Sequence, residues 1–469
     1  MSVSFDRNLD QKFWVRAQTV ITTATASSMD ADDAFKGLAV DIDTQSEKIM
    51  LKRNDNKSGR DELEKVDGKK GPYPWSINAN VVPNGTAGTD SDIGPLYTSM
   101  FTETDTTAFT PDVSATDSGC TTSTTGDVVV GDVIVVPHNT DGEPAEAVYI
   151  TGVSSPSGQG AYTWWPELSF TPSTSNEIAI CSQMKPKNAI ASTNYVTIKR
   201  ALSSAVQCLA GALPDTFEID FKDGEFVEQT FSGMARHTFG ISQTALDGGV
   251  SAGGATLTVE DVSAFEGVNS NHVLGCTIEA EGANDAETVT ISAVDSDNDQ
   301  VTCSTLTENH GTGAVIIPLI ESETTSGSSI AGVSGKCYFD DESTELSTEL
   351  STLNANFSIA EGHVWRTEFG EAESPEAVAA ADRVITGSVN LTGKAGDWTS
   401  FGLGETRKEG RMLFYAGDTV GAIFGIMLVR AFVKAKVEDG GDGELDTISL
   451  TIDRALGTSG DDSFVIFYG

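Results

Sequence analysis

The sequence has 469 residues, enough for roughly two to four domains that each bury a core, and its 29 Lys and Arg stand against 69 Asp and Glu for a formal charge of −40. A surface negative almost everywhere repels nucleic acid, which excludes nucleic-acid binding as the function. With 47 Gly, abundant Ser and Thr and few long helical patterns, a mainly β fold of strands and turns is expected.

In the first block, from about residue 35 to 101, "GLAVDIDTQSEKIMLKR" reads as two strands and "NDNKSGRDELEKVDGKK" as a charged connection. Trp75, Ile77, Ala79 and Val81 then alternate with Ser76, Asn78, Asn80 and Val82, the period of a strand with one face on a core. Pro83, Asn84, Gly85, Thr86, Gly88, Thr89 and Asp90 end that strand in a loop. Ile93, Leu96, Tyr97 and Met100 recur at helical spacing, with Asp92 placed to cap the start of a short helix.

Residues 109–187 are rich in Thr, Ser and Gly and carry strand-like "GDVVVGDVIVVP", "EAVYITGV" and "NEIAICS". The earlier style returns over 194–240, with a tight turn at Lys222-Asp223-Gly224. A second small module at about 248–320 repeats the first. "EAVYITGV" from Glu146 matches "ETVTISAV" from Glu287, and each module closes on an apolar strand, "EIAICS" or "AVIIPLI". From residue 334 the outer block repeats: "EGHVWRTEFGEAESPEAVAAADRVITGSVNLTG" lines up with "SEKIMLKRNDNKSGRDELEKVDGKKGPYPWSINANVV", and "GELDTISLTIDRALG" parallels "PDTFEIDFKDGEFVEQTFSGMA". The apolar run "GAIFGIMLVRAFV" is too short for a bilayer, contains Arg430 and reads as a buried strand pair.

The organisation expected is one β domain in two copies, 1–110 with 188–245 and then 323–469. Two small immunoglobulin-like or barrel-like β modules occupy 111–187 and 246–322, the first of them splitting the first copy. Insertions are tolerated where they project from a surface, so the modules are expected to be peripheral and Asp112–Pro186 removable.

The residues offer little for catalysis. Cys120, Cys181, Cys208, Cys276, Cys303 and Cys337 sit far apart with no CxxC pair, so free buried thiols are expected instead of a zinc or redox site. His138, His237, His272, His310 and His363 are scattered, with no GxSxG beside them. "DSDNDQ" places Asp295, Asp297 and Asp299 as a calcium loop does, but Gln300 stands where that loop needs Gly and Leu306 where it needs Glu. No carboxylate pair is singled out for glycoside hydrolysis. Trp164-Trp165 reads as a core or interdomain plug before a sugar-stacking platform. No charged-then-apolar leader opens the sequence, so export through a membrane is not expected.

The order of strand, long charged connection, alternating strand and "GTAGTDSDIGPLYTSMF", followed by "TFEIDFKDGEFVEQTFSGMAR" and a second "DRVITGSVNLTG", resembles the major tail tube proteins of long-tailed bacteriophages. The resemblance covers the two outer blocks and leaves out the modules. It implies β-sandwich domains, each with a short helix, whose inner sheets close into a ring, with rings stacked into a hollow acidic conduit for genome ejection. It implies a structural virion protein made in the host cytoplasm, with no enzymatic activity and no cofactor or metal. The partners implied are further copies of the chain, other phage tail proteins and genomic DNA passing without specific binding, and no membrane. A doubled domain implies three chains per ring. The alternative is a carbohydrate-binding or adhesin-like β protein of a tail tip or cell surface, in which the modules act.

Charge singles out one further pair of segments. Lys48, Lys52, Arg53, Lys57, Arg60, Lys65, Lys69 and Lys70 concentrate positive charge in the first connection, whereas the second holds Glu368, Glu371, Glu373, Glu376 and Asp382 and no basic residue between them. Opposite charge in matching connections predicts a ring-stacking interface between neighbouring rings.

Overall fold

A computed structural model describes residues 11–24, 26–42, 48–53, 64–105, 108–112, 115–122, 128–140, 142–154, 160–174, 177–178, 181–280, 285–341, 349–366, 376–379, 382–392, 407–438, 446–457 and 462–469, with the backbone alone over 48–53, 64–70 and 376–379 and at 105, 192 and 438. The first block gives β1 (Lys12–Ala17), β2 (Gly37–Ile42), β3 (Lys48–Arg53), β4 (Glu64–Lys70), β5 (Tyr73–Asn80), helix α1 (Gly94–Met100) and β6 (Thr102–Asp105). Next come β7 (Gly119–Thr122), β8 (Val133–Val136), β9 (Glu146–Ser154) and β10 (Gly160–Trp165), then β11 (Ser182–Lys185), β12 (Val196–Ala201), β13 (Ala205–Lys222) and β14 (Glu228–Ser242). The second module holds β15 (Thr244–Ala245), β16 (Thr256–Thr258), β17 (Leu274–Ile278), β18 (Glu287–Asp295), β19 (Gln300–Cys303) and β20 (Val315–Pro318). The last block holds β21 (Lys336–Asp340), β22 (Glu349–Leu350), β23 (Thr352–Ala360), β24 (His363–Arg366), β25 (Glu376–Ala379), β26 (Val384–Thr392), β27 (Arg407–Ala416), β28 (Phe424–Glu438), β29 (Thr447–Leu456) and β30 (Phe464–Tyr468). The chain is mainly β, as its composition predicts, and α1 is the one α-helix among the described residues.

Alternation sets the main core. Tyr73, Trp75, Ile77 and Ala79 of β5 are buried while the residues between them are half-exposed. Helix α1 brings Tyr97 into this core, its ring 5.3 Å from Phe217, 5.0 Å from Phe231 and 5.5 Å from Tyr468. The helix packs on β1, β6, β12 and β13. Asp92 does not cap it. Pro95 opens its first turn without a side-chain cap, and the Asp92 carboxylate instead accepts hydrogen bonds from the Ser326 N–H at 2.9 Å and Oγ at 2.6 Å. The run "GAIFGIMLVRAFV" is not a strand pair. Its residues from Phe424 lie in the single strand β28, which has apolar neighbours on both sides because β27 flanks one edge while β30 and β29 share the other.

Among the described residues sixteen strands join in one sheet system, and its order repeats. The path β2-β5-β14-β13 is followed by β23-β26-β29-β28, antiparallel throughout. β12 and then β1 flank β13, as β27 and then β21 flank β28. A two-stranded hairpin interrupts each copy at the same place: β3-β4 between β2 and β5, and β24-β25 between β23 and β26. The charged connections are therefore partly strand. The two halves meet where β13 pairs with β23, from Thr216 opposite Ala360 to Lys222 opposite Asn354. Phe217, Ile219 and Phe221 there share one core face with Ile359, Phe357 and Ala355.

Strand β13 serves two layers. Its first half pairs with β12 and its second with β23, with a register shift between Pro214 and Thr216. Gly211 permits the change of direction: its φ is +61°, and a Cβ there would stand 2.9 Å from that of Arg236.

The modules are not peripheral. β7-β10-β9-β8 form an open sheet with Ile134, Val148, Ile150, Tyr162 and Trp164 on one face. The other face, with Val133, Val135, Ala147, Tyr149 and Trp165, packs on Tyr338, Leu413, Tyr415, Met427, Val465 and Phe467 of β21, β27, β28 and β30. "EIAICS" does not close this module. Ile178 bridges Phe109, and the chain from Ser182 enters the large sheet as β11, between β6 and β30. The second module closes into a small barrel where Leu246 meets Val259, the Asp247 N–H donating to Thr258 O at 3.0 Å and the Glu260 N–H to Ala245 O at 2.9 Å. Its core runs on into Val206, Cys208 and Ala210 of β13 and Phe239 and Ile241 of β14. Each module thus covers the outer strands of one copy of the repeat, and the first module covers the copy distant from it in sequence.

Candidate assembly surface

At each end of the repeated path β2-β5-β14-β13-β23-β26-β29-β28 an edge lacks a neighbour among the described residues; β1, β6 and β22 are further edges of the same sheet. β2 pairs only with β5, and β28 beyond Lys434 pairs only with β29. These are the outer edges of the first and second copies. β23, which holds the place of β2, is paired with β13, which holds the place of β28. The junction inside the chain therefore joins the same two kinds of edge that stand open at its ends. Leu38 beside one edge is 55% exposed and Val437 on the other 40%. Unpaired N–H and C=O groups in an apolar setting are templates for another strand.

The face of the large sheet opposite the main core is polar. It carries Ser76, Asn78 and Asn80 of β5, Thr230 and Ser232 of β14, Asn354, Asn356 and Ser358 of β23, and Ser388 and Asn390 of β26. Cross-strand bonds tie it together: Asn356 Nδ2 donates to Asp220 Oδ1 at 2.7 Å and Asn390 Nδ2 to Asn354 Oδ1 at 2.8 Å. Its charged residues include Asp41, Glu218, Asp220, Glu228, Glu409 and Asp453 with Lys222, Arg407, Arg430, Lys434 and Lys436; Lys434 and Arg407 are held 2.6 Å and 3.2 Å from Asp453, and Arg430 pairs with Glu409.

The residues expected to stack rings are placed in part. Lys48, Lys52 and Arg53 lie in β3, and Lys65, Lys69 and Lys70 in β4, with Lys48 opposite Lys70, Lys52 opposite Lys65 and Arg53 opposite Glu64. Lys57 and Arg60 lie outside the described residues, as do Glu368, Glu371 and Glu373. Glu376 stands in β25 opposite Arg366, and Asp382 is exposed at the base of that hairpin. β2 runs parallel to β23, and β5 parallel to β26, so both hairpins leave the sheet at one rim. The opposite rim presents the turn between β13 and β14, with Asp223 and Glu225 exposed. Sequence reasoning passed over Phe226 beside them, 54% exposed, for which an apolar residue inside the turn "KDGEFVE" was the available signal.

Other candidate chemistry is absorbed by structure. Trp164 and Trp165 are buried, and the Arg411 guanidinium lies 4.9 Å above the Trp165 ring. "DSDNDQ" is the β18–β19 hairpin turn, in which the Asp295 carboxylate accepts from the Asp297 N–H at 3.1 Å and Asn298 Nδ2 at 2.8 Å. Among the described residues no cluster of His, Cys, Asp and Glu is arranged to hold a metal. None of the six cysteines is in a disulfide and all are buried, and burial pushes Cys120, Cys208 and Cys276 up to about 12, so they stay protonated at neutral pH. His237 and His272 stack at 4.1 Å, and burial, with His237 and Arg236 adding to it, holds His272 down to about 3. His310 lies 3.3 Å from Glu287, and His363 lies 3.5 Å from Asp215. Comparison with known proteins finds no family model that matches this sequence and no curated protein significantly similar to it.

Proposed function

We propose that the protein is a self-assembling structural subunit, a tail tube protein that polymerises as stacked rings into a hollow conduit. The observation that carries this reading is the repeated strand order with its internal β13–β23 junction and matching open edges at β2 and β28. Pairing β28 of one chain with β2 of the next continues the same sheet with the same contact. A heterologous contact of this kind closes into a ring when its rotation permits. Two sandwich domains per chain make a ring of three chains equivalent to six single domains. The Ser, Thr and Asn face then lines the lumen, with Arg407 and Lys434 held by Asp453 and Arg430 by Glu409, so a passing polyanion finds few unpaired cations to release counterions against. The burial of Trp164 and Trp165 removes the residues that best supported a sugar-binding alternative. Native mass spectrometry with negative-stain imaging tests the proposal. Rings at three times the 49.3 kDa chain mass, stacked into tubes, are expected. A protein that stays monomeric at high concentration, or rings of six chains, would overturn it.

A further inference from the structure

We propose that copies of this chain dock rim to rim through an apolar knob, Phe226 with Val333, seated in a groove walled by Val384 and Leu456 of a second copy. The inference rests on the stacked-ring reading and names the contact that stacks the rings. Phe226 and Val333 are 54% and 69% exposed. Backbone pairing holds them close together: Phe226 bridges Ala331, and the Gly332 N–H donates to Glu225 O at 2.8 Å. The turn beneath is tight, with Gly224 at φ +76°. Two neighbouring apolar side chains held in water by a rigid turn mark an interaction site.

The groove measures about 470 Å³, room for an aromatic side chain, and opens at the start of β26 and the end of β29. Val384 and Leu456 are 44% and 36% exposed there. β26 runs parallel to β13, so the groove at its start and the knob at the end of β13 lie on opposite rims of one sheet. Knob and groove cannot satisfy each other within a chain or in a two-fold dimer through the same surface; they propagate head to tail without closing.

Charge agrees with the match. Lys187, Arg383 and Arg454 line the groove, with Asp382 and Glu361. Arg383 is held by Glu361 at 2.7 and 2.9 Å, the Lys187 ammonium donates to Thr98 O at 2.6 Å, and Arg454 is exposed. Asp223 and Glu225 flank the knob, with Lys222 3.9 Å from Glu225, so the turn keeps one net negative charge. On a chain of charge −40, a groove with these cations facing an acidic turn steers the second copy into register.

The full-length chain carrying Phe226→Asp with Val333→Asp, and separately Val384→Asp with Leu456→Asp, tests the contact by sedimentation, imaging and circular dichroism. Each variant should fold and form rings but lose sedimentable tubes, and an equal mixture of the two should give paired rings and nothing longer. Tubes of normal length from either variant would overturn the proposal. A disulfide test does not depend on how well those variants fold: Phe226→Cys with Leu456→Cys in one chain should give a covalent ladder on oxidation that neither single substitution gives. Wild-type rings that never stack, or tubes in which no ladder forms, would overturn the knob and groove alone; wild-type protein that forms no rings would overturn the ring reading with it.

Discussion

The Lys336 ammonium donates a hydrogen bond to the Glu146 carboxylate at 2.7 Å, joining the first module to a strand nearly two hundred residues further along the chain. Ser169 completes the site with its N–H at 2.9 Å and its hydroxyl at 2.7 Å. Burial pushes the Glu146 carboxyl up, but the Lys336 ammonium and the two Ser169 bonds outweigh it and hold the group below its ordinary value. When the chain unfolds, the carboxyl returns to about 4.3. Because the folded value is the lower one, the pair contributes stability above the unfolded value and loses it as pH falls through the folded one. The difference in urea midpoint between wild type and Glu146→Gln should therefore stay constant above about pH 5 and shrink below about pH 4. A difference that persists undiminished at pH 3 would show that the charge of Glu146 contributes nothing. Lys336→Ala, which leaves the buried carboxylate without its cation, should cost about 3 kcal/mol at neutral pH.

Removing Asp112–Pro186 should abolish folding, contrary to what the sequence suggests for an inserted module. The deletion uncovers Tyr338, Leu413, Tyr415, Met427, Val465 and Phe467 and takes out the whole of β11, which lies between β6 and β30. An insoluble product, or a soluble one without a cooperative melt, is expected. Trp165→Ala is a milder probe of the same contact, with a loss of about 3–5 kcal/mol. A deletion protein that melts like wild type would refute the shared core.

Single charges at the open edges should separate folding from ring closure. Leu38→Asp and Val437→Asp change residues already exposed, so each should alter stability by less than about 0.5 kcal/mol. Each should nevertheless prevent rings, since a carboxylate would enter the strand-to-strand contact. Light scattering on the purified variants decides between monomers and unimpaired rings.

Reversing Lys52, Arg53, Lys57 and Arg60 to Glu should leave the subunit folded and slow or stop tube growth, because β3, which holds Lys52 and Arg53, belongs to the hairpin at the rim opposite Asp223 and Glu225. Wild-type growth should weaken between low and high salt as the charges are screened within about 10 Å at 0.1 M. Salt-independent growth, or tubes of normal length from the reversed protein, would remove this hairpin from stacking.

Local features were legible in the sequence and long-range ones were not. The alternation from Trp75 to Ala79 announced β5, and the absence of CxxC announced six free thiols. Asp92 was misread as a helix cap because its true partner, Ser326, is far away in sequence. The strand β28 was misread as a pair because one of its faces lies on the main core and the other under the first module, which erases any period of two. The repeat itself was readable from the matching order of segments. The pairing of β13 with β23 was not, since Glu218, Asp220, Ser358 and Asn356 on its polar face look like any solvated edge. For the same reason the apolar tip at Phe226 passed as part of a turn.

The crossing of the first module onto the second copy has a consequence for synthesis. Chains leave the ribosome from their N-terminal end, so Val133, Val135, Tyr149 and Trp165 emerge long before Tyr338, Leu413 and Phe467 exist to cover them. β11 likewise waits for β30, whose Tyr468 ring then settles 5.5 Å from Tyr97 and 4.8 Å from Phe424. The nascent first half carries β2 but has no finished body behind it, and β28, the edge that would receive β2, is translated late. Under the stacked-ring proposal, polymerisation would thereby be tied to completed translation, and a stalled fragment would not seed a ring with a defective subunit. Ribosome-bound chains arrested before residue 464 should remain open to protease throughout residues 128–165, and protection should arrive only when the last strand has cleared the exit tunnel.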